Sequence, residues 1–129
     1  MVFLDTHAWL WWVSAPEKLG AGGRDALDRA ERVAICTISC WEIAMLSVRG
    51  RIALDREVHA WIEQALANPR VEAVRLTSDV AVRAALLDRD GFDGDPADRM
   101  IYASARAAGA RLVTRDARIA AFDPRTALW

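Results

Sequence analysis

The chain has two cysteines, one lysine and no long hydrophobic run, and each scarcity closes off a class of explanation. Cys36 and Cys40 form a C-x3-C pair with no second cysteine pair and no His-x3-His partner. That excludes a disulfide framework and is a poor zinc signature, so both are expected to serve as packing residues. The N-terminal apolar run Ala8 to Val13 is far too short to span a bilayer. No G-x-G-x-x-G follows the first apolar segment and no Gly-Lys-Ser/Thr occurs, which removes dinucleotide and P-loop binding. A basic excess is also missing, since the net charge is −1, so the chain does not advertise itself as a general phosphate binder. No internal repeat, linker or low-complexity tract interrupts it.

What is present fits one ordinary folded domain spanning residues 1–129, with 53% hydrophobic and 27% charged residues, well outside the composition of disordered chains. No basic leader precedes Val2-Phe3-Leu4-Asp5, and the expected location is the cytoplasm. Sixteen of the seventeen basic residues are Arg, with Lys18 alone. Arginine is the better planar, bidentate partner for phosphate, although coding bias in an Ala- and Arg-rich chain gives the same count.

Short apolar segments alternate with helical spacing. Val2 to Leu4 reads as a buried strand ending on Asp5, and Ala8 to Val13 as the helix or turn after it. Pro16 to Gly23 reads as loop, Arg24 to Arg32 as a charged helix, and Val33 to Thr37 as a second strand. Ser39 and Glu42 have capping-box spacing ahead of a helix that continues to Gly50. A helix over Val58 to Leu66 stops at Asn68-Pro69, Val71 to Leu76 reads as a third strand, and Thr77 or Ser78 caps the next helix. A polar loop over Asp88 to Pro96 leads into a helix from Ala97 to Ala108, ended by Gly109. Arg111 to Thr114 is a fourth strand and Thr126 to Leu128 an edge strand. The pattern predicts an α/β domain with a mostly parallel sheet of four to five strands flanked by helices.

Asp5, Glu42, Asp98 and Asp116 each stand just after a strand or in the helix that follows one. In an open parallel sheet the carboxyl ends of the strands converge on a crevice, so acids distant in sequence can meet there. Singly each has an ordinary reading as turn former, capping residue or helix-dipole partner. Together they conflict: two carboxylates about 5 Å apart at an effective dielectric near 20 repel by roughly 3 kcal/mol. A hard divalent cation resolves the conflict, and oxygen-only ligands suit Mg²⁺ or Mn²⁺. The chemistry expected of such a site is phosphodiester hydrolysis. A receiver or haloacid-dehalogenase-like domain also places Asp after strand one, but the latter has a second Asp where this chain has His7, and both use a lysine that only Lys18 could supply.

The strings LDTHAWLWW at 4–12, SCWEIAML at 39–46, GDPADRMIYASA at 94–105 and LVTRDARI at 112–119, with a terminal Trp129, resemble the PIN-domain ribonucleases, and more narrowly the VapC-type toxins of bacterial toxin-antitoxin pairs. The strings occur in the family's order and cover nearly the whole chain. The resemblance implies a Mg²⁺- or Mn²⁺-dependent endoribonuclease with Asp5, Glu42, Asp98 and Asp116 as its acidic site, a cognate VapB-type antitoxin, an RNA substrate and a homodimer. Asp95 lies three residues before Asp98, so either is a candidate third ligand; Asp98 matches the family's acid and Asp95 is kept as auxiliary. Asp93 stands where relatives often have His, and Leu46 where many have Lys. The competing non-enzymatic reading is a PIN-like module that binds RNA or an antitoxin without cleaving.

Thr6 and Thr114 place hydroxyls beside Asp5 and Asp116, fit either for a metal-bound water or for local turn bonding. Arg99, Arg115 and Arg118 are candidates for holding the RNA backbone or for pairing with the neighbouring acids. His7 reads as a rim residue before it reads as a base. Trp9, Trp11 and Trp12 are too many rings for one face of one short helix, which points at least one of them to a dimer or antitoxin surface unless all three pack in the core.

Overall fold

The computed structural model describes all 129 residues. Strands β1 (Val2–Leu4), β2 (Val33–Cys36), β3 (Val71–Val74), β4 (Arg111–Val113) and β5 (Ala127–Leu128) form one sheet in the order β3-β2-β1-β4-β5. Every pairing is parallel. The helices are α1 (Thr6–Ser14), α2 (Ala21–Arg29), α3 (Thr37–Val48), α4 (Val58–Leu66), α5 (Ser78–Leu86), α6 (Pro96–Ala107) and α7 (Ala117–Phe122). Two single 3₁₀ turns, Pro16–Lys18 and Leu87–Asp90, complete the regular structure.

The period-two alternation of the central strands divides the core between the two faces. Val2, Leu4, Val33, Ile35 and Val113 pack with Trp9 of α1, Leu27 of α2, Ile43 of α3 and Trp61 of α4. Phe3, Ala34, Cys36 and Leu112 face the other way, onto Phe92, Ile101 and Tyr102 of the α6 region and Ile119 of α7. Both cysteines are free thiols: Cys36 is buried in this second core, where burial pushes its thiol up to about 11, and Cys40 packs half-buried beside the first. They act as the expected packing residues.

Topology, more than packing, decides where a site can form. The chain leaves β1 for β2 on one side and later returns to β4 on the other, so the crevice beyond β1 and β4 is a switch point. Asp5 lies at its edge, and its N–H continues the ladder by donating to the Val113 carbonyl at 3.1 Å.

Two local readings are corrected. The segment expected to be loop from Pro16 to Gly23 instead forms a 3₁₀ turn and then starts α2 at Ala21, so the charged helix runs Ala21–Arg29. Its glycines are there for close approach rather than for turning. A Cβ on Gly20 would lie 2.5 Å from the Trp129 ring, and one on Gly22 the same distance from the Trp129 carbonyl oxygen. The Ser39–Glu42 capping box is also absent. Strand β2 passes into α3 without a loop, the helix begins at Thr37 with no side-chain cap, and Ser39 is already inside it and fully buried.

Candidate active site

Asp5, Asp98 and Asp116 are each placed by a helix start, whereas Glu42 lies in the second turn of α3. Asp5 caps α1, one carboxylate oxygen accepting the Ala8 N–H at 2.8 Å. Asp116 caps α7 in the same way through the Arg118 N–H at 2.8 Å. Asp95 caps α6 by accepting the Ala97 N–H at 2.9 Å, which leaves Asp98 in the first turn. The capping reading and the site reading thus hold together, because capping fixes one oxygen and turns the other to the crevice. These acids sit at the N-terminal ends of α1, α6 and α7, where the positive end of each helix favours their negative charge.

Asp5, Asp98 and Asp116 line one cleft of about 280 Å³, together with His7, Trp11 and Arg115. Glu42 enters from α3 into an adjoining hollow that it shares with Asp5, Asp98 and Asp95. Asp98 therefore belongs to both hollows and Asp95 only to the outer one. Glu42 is held by Thr6, whose buried hydroxyl bonds both the Glu42 carboxylate and, at 3.0 Å, the Ser39 hydroxyl. A hydroxyl has one proton, so with Glu42 ionised Thr6 donates to it and accepts from Ser39. Thr114 is buried; its oxygen accepts the Asp116 N–H at 3.0 Å, and its hydroxyl steadies Asp5. Both threonines orient acids.

The crowding leaves its mark on protonation. Burial, then the charges of Glu42, Asp116, Asp5 and Asp95, push Asp98 up to about 7. Burial also raises Asp5, although Thr114, the Ala8 N–H and His7 pull it back. Glu42 is raised by burial first and by Asp95 and Asp5 after it, against the Thr6 bond and His7. The fold thus holds a set of carboxylates that cannot all ionise comfortably by themselves. No group of three or more Asp, Glu, His or Cys side chains is close enough to enclose an ion. That still fits Mg²⁺, which keeps several waters and takes one or two carboxylates directly, and the donors are all oxygen.

The arginines divide. Arg118 pairs with Asp116 at 3.8 Å. Arg99 and Arg115 are in no ion pair, and only Arg115 lines the cleft, its guanidinium 4.9 Å from the centre of the Trp11 ring. His7 is exposed at the rim, tilted against Trp11 at 5.6 Å. Asp93 is exposed and lines neither hollow. Leu46 does line the outer one, and beside it stand Arg49 and Arg51, which sequence reasoning missed. The signal was available: Arg49 lies seven residues after Glu42, on the same helix face. Gly50 at φ 67° then turns the chain so that the Arg51 N–H returns to the Leu46 carbonyl at 2.9 Å. Of the three N-terminal tryptophans, Trp9 is wholly buried and Trp11 and Trp12 are half-buried. The ring that faces solvent most is Trp41, 57% exposed on α3.

The PIN domain model matches residues 2–123. Ribonuclease VapC22 of Mycobacterium tuberculosis is 40% identical over 118 residues, 92% of this chain and 88% of that protein. Among solved structures, a toxin-antitoxin complex from Klebsiella pneumoniae contains a chain superposing with a TM-score of 0.70 at 19% identity, over 100% of this chain and 97% of that one. The sarcin-ricin loop cleaving toxin VapC20 of Mycobacterium tuberculosis superposes at 0.69 with 17% identity, over 94% of each. With a family model spanning nearly its whole length and a VapC ribonuclease 40% identical across most of both chains, this chain belongs to the PIN-domain family, on its VapC side.

Proposed function

We propose that the chain is an endoribonuclease dependent on Mg²⁺ or Mn²⁺ and the toxin of a toxin-antitoxin pair. The observation that carries the reading is the meeting of Asp5, Asp98 and Asp116 in one cleft, with Glu42 adjoining, at the switch point of a parallel sheet. Kinship with a protein named as a ribonuclease makes RNA the substrate to test first.

Asp5, Asp98 and Asp116 are the residues that would hold the cation, with Glu42 behind them. When bound, a divalent cation supplies positive charge for the phosphate and lowers the pKa of the attacking water. The chain's own residues do the rest. Asp98, held protonated toward neutral pH by burial and like charge, is the acid that would have to be ionised to serve as a ligand. Thr6 keeps the Glu42 carboxylate aimed at the hollow. Arg115, Arg49 and Arg51 at the rim offset the acids and attract the RNA backbone, in keeping with a chain whose overall charge does not. For the partner, α3 presents Trp41 and Val48, 57% and 87% exposed, as an apolar strip suited to an antitoxin or a second copy of the chain.

The test is cleavage of RNA by the purified chain freed of any partner. Activity should require Mg²⁺ or Mn²⁺, stop on chelation, and fall by at least about a hundredfold in Asp5→Asn and Asp98→Asn with the fold retained. Full activity in both variants overturns the assignment. A stable, metal-loaded chain that binds RNA without cutting it favours the non-cleaving module.

A further inference from the structure

Trp11 is the one apolar residue lining the acid cleft, and the way it is held suggests a use. It follows His7 by one helical turn, so both rings lie on the same face of α1, which looks into the cleft. The Arg115 guanidinium lies 4.9 Å from the ring centre. That choice of partner is informative, because Arg115 directly precedes Asp116 and is surrounded by carboxylates, yet it makes no ion pair. An exposed arginine stacked on tryptophan keeps one planar, cationic face toward solvent. Behind it, Trp129 meets Trp11 edge-on at 5.6 Å, and Trp129 is itself seated where Gly20 and Gly22 leave no room for a Cβ. Glycines, Trp129, Trp11 and Arg115 thus form a continuous run of contacts from the start of α2 to the mouth of the cleft.

We infer that Trp11 and Arg115 form a stacking platform for the nucleobase next to the cleaved phosphodiester of single-stranded RNA, with Trp129 as the positioning residue behind them. The inference rests on the ribonuclease reading and adds to it the group that fixes the strand. Unpaired RNA bases are held in this manner on aromatic rings and guanidinium planes, at about 1–3 kcal/mol per base. A phosphate in the cleft would place its flanking base within reach of Arg115, which lines the same cleft as the acids.

The experiment uses the full chain and an RNA whose cut site has been mapped, prepared intact or with one abasic nucleotide on either side of the cut. Binding is measured by fluorescence anisotropy in the Asp98→Asn background, so that cleavage does not interfere. Removing one flanking base should weaken binding about 5- to 150-fold, the span that about 1–3 kcal/mol corresponds to. Trp11→Leu and Arg115→Ala should weaken intact RNA by a similar factor and become indifferent to the missing base. Arg115→Lys should keep the salt dependence but lose the base sensitivity, and Trp129→Leu should show the same signature at smaller amplitude. If Arg115→Ala, an exposed change that leaves the core alone, still distinguishes intact from abasic RNA as its parent does, the platform is overturned and Arg115 is only a phosphate contact. If the unmutated chain cuts no RNA at all, the ribonuclease reading falls and takes this inference with it. Cutting with unchanged base sensitivity sinks the platform alone.

Discussion

Asp98 is the residue at which the physics of the site is most concentrated. Its carboxyl is pushed up to about 7 by burial and by four neighbouring acids, against 3.8 for the free group. Between those values the folded chain holds a proton that the unfolded chain has released, so the slope of stability against pH is negative. Asp5 and Glu42, also raised, act with the same sign. The metal-free chain should therefore melt at falling temperature as pH rises from about 5 to about 7, and level off above, with Asp98→Asn flattening the profile. A melting temperature that climbs over that range without metal contradicts the crowding. The residue scale is also where the sequence was most readable. Asp5, Asp98 and Asp116 could be located from strand ends and helix starts because those positions are determined locally. Asp98 is favoured over Asp95 on the resemblance alone, since three residues of spacing on one helix start place both acids near the crevice; the fold adds that Asp98 lines both hollows and Asp95 the outer one only.

At the scale of elements, the readings that failed did so where glycine or a helix start was decided by something remote. Gly20, Gly22 and Gly23 look like a loop because glycine weakens helices, yet α2 begins at Ala21. What demands glycine there is Trp129, more than a hundred positions away, together with Val113 against Gly23. Ser39 and Glu42 match a capping box, but α3 starts directly from β2, and the serine is used instead to hold Thr6. Two glycines separate these causes experimentally. Gly50→Ala meets nothing within 4 Å and carries only the backbone cost of φ 67°, about 1–2 kcal/mol, with the tryptophan environment unchanged. Gly20→Ala should displace Trp129 and alter the near-ultraviolet circular dichroism of the tryptophans, at a comparable or larger loss of stability of about 1–3 kcal/mol. A Gly20→Ala variant with an unaltered aromatic spectrum would remove the basis for the run of contacts behind Trp11.

For the whole molecule, alternating strand and helix patterns were enough to predict a parallel α/β sheet, and the five-stranded all-parallel sheet agrees. The order β3-β2-β1-β4-β5 was not legible, because which side of β1 receives β4 depends on packing between segments far apart in the chain. That order puts the ends of β1 and β4 side by side, so that Asp5, Asp98 and Asp116 line one cleft with Glu42 in the hollow adjoining it. No helix is long and apolar enough to cross a membrane. The most direct test of the central claim is a calorimetric titration of the metal-free chain with Mn²⁺ near pH 6.5, run in two buffers of different ionisation enthalpy. Binding at the crevice should release a proton, chiefly from Asp98, and should weaken in Asp5→Asn, Glu42→Gln, Asp98→Asn and Asp116→Asn, with the proton release lost in the Asp98 variant. Binding that survives all four substitutions, or that releases no proton, would contradict it.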